Sequence, residues 1–257
     1  VIKVPRQARQ KSQSGIYHII LRGINKQILF EEEEDRKKFL ECLQHYKTIC
    51  HCEIYGYCLM DNHVHLLIKE SETDIGSFMK RLGVSYVSWY NRKYKRCGHL
   101  FQDRFKSEAV ETDEYLLTVL RYIHQNPLRA GMAEHLEDFW GSSYMEYVGG
   151  CTMVDGDFVL GIFSEEKKEA VDRFKIFMRE NSQVKTWLDM PDKIVLTDEH
   201  VKGFIEKYAN VKTPTALQSM EKMERDEIVR KIKEIPGITT RQIARLTGIS
   251  QSVIARA

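Results

Sequence analysis

The sequence predicts an α+β protein: a ferredoxin-like split βαβ sheet with helices on one face, plus an all-α C-terminal region with a helix-turn-helix. Three observations carry this. The elements of the first half run strand, helix, strand, strand, helix, strand, helix. Asp61-Asn62 is a turn with strand-like alternation beyond it, so the middle two strands form a hairpin. Near the end, Thr240 to Ile254 sets a small residue, a glycine and flanking apolar positions in the pattern of two crossing helices.

The elements follow in order. Val1 to Ser14 is polar and basic, with Lys3, Arg6, Arg9 and Lys11, and reads as a flexible arm. Gly15 to Arg22 is rich in strand formers and gives the first strand. Arg22 to Gln27 is a polar loop. Glu32 to Ile49 places Phe39, Leu40, Leu43 and Tyr46 at helical spacing, with acidic residues in its first turn. Cys52 to Met60 and His63 to Lys69 are the hairpin strands. Asp74 to Tyr94 is a helix burying Ile75, Phe78, Leu82, Tyr86 and Trp89. Arg104 to Val110 is the fourth strand. Thr112 caps a helix with Asp113 and Glu114 in its first turn. That helix is expected to end near Asn126, because Pro127 disfavours helical geometry at the residue before it. Arg129 to Val148 reads as a return segment with a loop at Trp140-Gly141-Ser142-Ser143-Tyr144, and Ser164 to Asn181 as an amphipathic helix. Ser182 to Pro191 reads as a linker, although Trp187 implies some packing. The expected divisions are residues 1–150, a helical connector at 151–196, and a helical region at 197–257.

Composition narrows the class. Of 257 residues, 42% are hydrophobic and 30% charged, an ordinary balance for a globular protein. No apolar run approaches the roughly 20 residues that span a bilayer, and there is no signal-like start, so no membrane partner is expected. The six cysteines show no Cys-x-x-Cys pair, which reads as reduced, mostly buried thiols in a cytoplasmic protein. Net charge is only +2, but its distribution is uneven. Between Lys80 and Lys106 stand Lys80, Arg81, Arg92, Lys93, Lys95, Arg96, Arg104 and Lys106, with Asp103 alone opposing them. Tyr86, Trp89, Tyr90, Tyr94 and Phe101 are interleaved. That mixture suits backbone contact plus base stacking on a nucleic acid strand, or a solvated helix face over an aromatic core. Arg22, Lys80, Arg81, Trp89, Tyr90, Arg92, Arg104 and Lys106 are the candidate contacts.

At the C-terminal end, Ala244 permits close helix crossing and Gly248 the tight turn. Ile249 and Ile254 would pack the second helix on the first, leaving Gln251, Ser252 and Arg256 pointing outward to a duplex.

The chemistry centres on His63-Val64-His65. Successive strand side chains alternate faces, so the two imidazoles share one face while Val64, Leu66 and Ile68 enter a core. Two such rings are half of a divalent-metal site, and alone do not define one. Tyr122 and Asn126 are four apart on one helix face. A tyrosine can attack a phosphodiester, and the asparagine adds a neutral oxygen ligand. Together these give two nitrogens, one oxygen and open positions for phosphate oxygens. Imidazoles suit manganese, zinc or nickel; phosphate-filled oxygen positions suit magnesium or manganese. The expected ion is Mg2+ or Mn2+.

Tyr17-His18-Ile19, Arg22-Gly23, the run Tyr57 to Leu67 through Asp61-Asn62-His63-Val64-His65, Tyr122 to Gly131 through Asn126-Pro127-Leu128-Arg129, and Trp140 to Tyr144 resemble the single-tyrosine HUH transposases, most nearly the REP-associated tyrosine transposases. The resemblance spans about residues 15–148. It implies that His63, His65 and Asn126 hold a divalent metal and that Tyr122 is the nucleophile. It implies transesterification on single-stranded DNA through a 5′-phosphotyrosine, on strands that form imperfect hairpins. The C-terminal helix-turn-helix lies outside that minimal fold and suggests a second, duplex contact. The alternative is a domesticated, non-catalytic DNA-binding regulator using the helix-turn-helix. Intact Tyr122, His63, His65 and Asn126 argue against it. Oligomeric state is left open.

Overall fold

A computed structural model describes residues 10–180, 198–235 and 238–256. Most of the arm, the linker at 182–191 with Trp187, and Ala257 lie outside the described residues. The chain divides into two compact units, Val1–Leu188 and Asp189–Ala257.

In the first unit, β1 (Ile16–Arg22), α1 (Glu33–Cys50), β2 (Glu53–Met60), β3 (His63–Lys69), α2 (Ile75–Lys93), β4 (Lys106–Ala109) and α3 (Asp113–Arg129) follow the expected order. The four strands pair antiparallel in the order β2-β3-β1-β4. This is the split βαβ arrangement, with β1 and β3 in the centre. The expected α+β class, with its split βαβ sheet and helical C-terminal region, is borne out, and α3 adds a helix on the second face of the sheet.

Local chemistry explains the helix starts. The Asp74 carboxylate accepts from Ser77 N at 3.0 Å and caps α2. Thr112 Oγ1 accepts from Tyr115 N at 3.2 Å and caps α3. The α3 helix runs three residues past Asn126, with Pro127 inside it. A proline in the last turn removes only its own N–H, so the turn survives and closes by Ala130 N donating to Asn126 O at 3.0 Å.

Strand alternation gives the sheet two faces. Tyr17, Ile19, Leu21, Leu59, Val64, Leu66 and Ile68 share one, and all are buried. The mutually packed α1 and α2 are the pair available to cover it. His18, Ile20, Arg22, Gly56, Cys58, His63, His65 and Leu67 share the other, beneath α3. Gly56 matters here. A Cβ at that position would lie 2.5 Å from Leu120 Cδ1, so the missing side chain lets α3 settle against β2.

Trp140 to Tyr144 proves to be more than a loop. It lies along the outer edge of β2, with Leu59 N donating to Gly141 O at 2.8 Å and Ser143 N to Tyr57 O at 3.0 Å. Three further helices, α4 (Tyr144–Gly149), α5 (Gly156–Gly161) and α6 (Lys167–Arg179), follow. Val154, Val159, Leu160, Ala170, Phe174 and Met178 join the first core, so residues 151–179 of the expected connector pack in this unit.

His124 locks α3 to that edge segment. Its Nε2 is 2.9 Å from Ser143 Oγ. Burial pushes the imidazole down from 6.5 to about 3. The unfolded chain therefore takes up this proton first, and the associated stability is present above about pH 6.5 and lost as pH falls towards 3. We expect acidification to about pH 4.5 to cost about 2–3 kcal/mol through this residue. Urea titrations at the two pH values should show that much less acid sensitivity in His124→Gln; an unchanged dependence would refute the assignment.

Among its described residues the second unit is helical, with α7 (Asp198–Ala209), α8 (Lys222–Lys233), α9 (Thr240–Thr247) and α10 (Gln251–Arg256). Val201, Ile205, Leu217, Val229, Ile232, Ile243 and Ile254 form its core. Thr239 caps α9 through Gln242 N at 3.2 Å. Gly248 turns the chain in the left-handed region, φ +73°. Gln251, Ser252 and Arg256 are exposed.

Among the described residues no helix is long and apolar enough to cross a membrane. All six cysteines are free; Cys42, Cys50, Cys52 and Cys58 are buried, Cys97 and Cys151 exposed.

Candidate active site

The β1–β3 register builds the site. Arg22 stands opposite His63 and Ile20 opposite His65. The two imidazole centroids are 4.9 Å apart. His63 Nδ1 lies 2.7 Å from Asn62 Oδ1. An amide oxygen can only accept, so His63 carries its proton on Nδ1 and its lone pair on Nε2. His65 is 1% exposed, and its Nε2 has no hydrogen-bond partner among the described residues. Burial holds the His65 imidazole well below its ordinary range, helped by His63, His18 and Arg22. The ring is therefore neutral at neutral pH, as a metal ligand must be.

Helix α3 brings the tyrosine over this pair. Tyr122 is 4% exposed and meets the His65 ring edge-on at 5.5 Å between centroids. Arg129, seven residues on, holds its Cζ 5.1 Å from the centre of the Tyr122 ring. Asn126 is on the same helix face, one turn beyond Tyr122, and its buried Nδ2 has no hydrogen-bond partner among the described residues. The structure thus brings Tyr122 to His65.

Among the described residues no group of three or more His, Cys, Asp or Glu side chains could hold a metal ion. The donors that the sheet itself brings together are two imidazoles; Asn126 shares a helix face with Tyr122. An orphaned, buried, neutral Nε2 beside a second imidazole fits a divalent ion that keeps its remaining positions open to oxygen.

The basic residues divide. Lys106, opposite Ile20 on β4, is exposed on the histidine face. Lys80 and Arg104 line a groove of about 810 Å3 between α2 and residues 98–105, floored by Met79, Val87 and Phe101. Arg81 and Arg92 are exposed on α2 away from the groove lining. Tyr90 requires a correction. It is 2% exposed and its hydroxyl donates to Ile28 O at 3.3 Å, so it cannot stack on a base. Tyr86 donates likewise to Leu29 O at 2.6 Å, and Tyr94 to Asp35 Oδ2 at 2.8 Å. Spacing of four puts these phenols on one helix face, and that face points inward. Trp89 is half-buried, with Lys93 Nζ 5.1 Å from its ring.

Sequence reasoning gave no role to His18, Glu108 or Arg129. Arg129 was within reach, since Tyr122, Asn126 and Arg129 follow helical spacing. His18 and Glu108 come together only through strand register.

Residues 11–126 match the family model described as "Transposase IS200 like". The resemblance seen in the sequence is borne out. More particularly, the chain is similar to a Haemophilus influenzae protein that carries the provisional description REP-associated tyrosine transposase. The two are 26% identical over 152 residues, covering 53% of this chain and 83% of that protein. The fold also matches a solved REP-associated tyrosine transposase bound to a REP hairpin, with a TM-score of 0.50. That match is 16% identical and covers 56% of this chain and 86% of the other. At that identity it speaks for the fold alone.

Proposed function

We propose that this chain is a DNA transposase that cuts and rejoins single-stranded DNA through Tyr122. The observation that carries the reading is the packing of Tyr122 against His65, 5.5 Å between centroids, on the polar face of the sheet. The Tyr122 phenolic oxygen attacks the scissile phosphorus. The bond to the 3′ oxygen breaks, leaving a 5′-phosphotyrosine and a free 3′-hydroxyl; the phenolic proton leaves to solvent or to the departing oxygen. A later 3′-hydroxyl attacks the phosphotyrosine and releases the tyrosine, so resealing needs no external energy source. His63, His65 and Asn126 would hold Mg2+ or Mn2+. When bound, the ion supplies Lewis-acid polarisation of the phosphate and neutralises developing charge. Arg22 and Arg129 add fixed positive charge beside the reacting atoms. Four buried cysteines without disulfides fit work in the cytoplasm.

Hairpin-forming strands are the substrate we propose; the solved transposase that shares this fold is bound to a REP hairpin. Lys80 and Arg104 would hold backbone along the α2 groove, while Gln251, Ser252 and Arg256 offer an exposed surface to duplex. Replacing Lys80 and Arg104 by alanine is expected to weaken binding evenly across sequences. Each loss should reduce the slope of log affinity against log salt by about 0.7, measured by fluorescence anisotropy on single strands. A slope that does not move would remove the groove from the DNA path.

The deciding experiment mixes the protein with labelled hairpin-bearing strands and MnCl2 or MgCl2. A protein–DNA adduct that survives denaturation and does not form when EDTA is present from the start supports the reading. DNA retained without an adduct, with both ions and several strands, favours the non-catalytic regulator instead.

A further inference from the structure

His18 takes no part in the reaction just described, yet it is 0% exposed beside the site. Its ring stacks on that of His65 at 5.3 Å between centroids and 20° between planes. His18 Nε2 lies 3.1 Å from His65 Nδ1, a hydrogen bond whose direction depends on where the protons sit. On its far side, His18 Nδ1 faces Glu108 Oε2 at 3.6 Å. That is longer than a hydrogen bond but close enough for the carboxylate to dictate which ring nitrogen is protonated. Neither atom has another hydrogen-bond partner among the described residues. The other Glu108 oxygen accepts from the Tyr115 hydroxyl.

With one proton on each ring, two arrangements are possible along this line. With the His18 proton on Nδ1, an N–H faces the carboxylate and Nε2 accepts from His65 Nδ1–H. His65 then carries its lone pair on Nε2, the atom left without a partner. In the reverse arrangement a His18 lone pair faces the Glu108 oxygen in a buried setting, acceptor against acceptor. His65 would then present an N–H where a cation is to be held. The carboxylate disfavours the reverse arrangement outright.

We propose that His18, oriented by Glu108, is a positioning residue that fixes His65 in the Nδ1–H tautomer and turns its Nε2 lone pair towards the site. The proposal rests on the reading of His63 and His65 as a metal-binding pair. Asn62 does for His63 what His18 does for His65: each holds Nδ1 with an acceptor. The two ligand rings are thus set by different means, one by its chain neighbour and one by a line crossing β3, β1 and β4 to α3.

Histidine ring 15N correlation spectra of the metal-free full chain test this directly, with His65 assigned by its loss in His65→Phe. The expected result is His65 protonated on Nδ1 and bare on Nε2. In Glu108→Gln an amide can donate to His18 Nδ1, so the line can reverse and His65 should move towards the Nε2–H form. A wild-type His65 protonated on Nε2 overturns the proposal. Mn2+ uptake, followed by electron paramagnetic resonance, is the second readout. Glu108→Gln and His18→Phe should bind Mn2+ about 10–100-fold more weakly, and His18→Gln, which restores an acceptor, should recover part of the loss. Circular dichroism melts identify variants that have merely unfolded. Wild-type protein that takes up no Mn2+ would sink the metal reading, while the tautomer spectra would still decide the role of His18. Wild-type uptake equalled by both variants would overturn the proposal.

Discussion

Tyr122→Phe should abolish the covalent protein–DNA adduct and strand rejoining, a loss on the order of 10^4-fold or more, while leaving the protein folded and able to retain DNA. The substitution removes one oxygen and keeps the ring. The ring makes the described contacts: edge-on to His65 at 5.5 Å, edge-on to His18 at 6.0 Å, and beneath the Arg129 guanidinium at 5.1 Å. Packing therefore survives and chemistry does not. Adduct yield on a denaturing gel, read beside DNA retention and Mn2+ uptake for the same sample, separates the two. An adduct of undiminished yield in the variant would mean that another side chain is the nucleophile.

The largest expected effect on stability lies far from the nucleophile. Asp35 is fully buried in the first turn of α1. Its Oδ2 accepts from Glu32 N at 2.8 Å and from Tyr94 Oη at 2.8 Å, and its Oδ1 from Lys93 Nζ at 2.7 Å. One carboxylate thus ties the start of α1 to the end of α2. Asp35→Ala strands the Tyr94 hydroxyl and the Glu32 N–H and removes the buried partner of a lysine, and we expect a loss of about 3–5 kcal/mol. Lys93 also reaches the carboxylates of Glu32 at 2.9 Å and Glu34 at 2.8 Å, both largely exposed, so those ion pairs cannot make good the loss. Denaturant unfolding of the two proteins measures it. A difference under about 1 kcal/mol would show that the cluster contributes little.

The sequence was most informative where period and chemistry agree. Alternation along His63 to Lys69 with a turn before it yields the hairpin, the shared face of His63 and His65, and the burial of Val64, Leu66 and Ile68 together. Helical spacing alone puts Tyr122 and Asn126 on one face; their roles come from the family resemblance. The misreading of Tyr90 has a definite cause. Basic and aromatic residues alternate on α2, but composition does not say which side of a helix meets the core, and the loop carbonyls of Ile28 and Leu29 that receive the phenols lie more than fifty residues away. His18 and Glu108 are harder still. Each is an ordinary residue on its own strand, and only the paired register of β1 with β3 and β4 aligns them with His65. The α3 helix continues past Asn126 because a preference at the residue before proline is weaker than three more residues of helix.

The outer edge of β2 has a consequence for behaviour at high concentration. An uncovered edge strand is a template on which another chain can build, and such pairing starts insoluble aggregates. Here that template is filled from within the unit. Ile54 N donates to Asp155 Oδ2 at 2.7 Å, and Ile54 O accepts from Asp155 N at 2.7 Å. Tyr55 O accepts from the Tyr147 hydroxyl at 2.5 Å, Tyr57 N donates to Ser143 Oγ at 2.9 Å, and Leu59 O accepts from Arg36 Nε at 3.1 Å. The opposite edge is the four-residue β4, with exposed Lys106 at its start. A cut within residues 141–155 that releases this segment should therefore turn a well-behaved protein into a sticky one, and by freeing Ser143 from His124 it also loosens α3 over the histidine face.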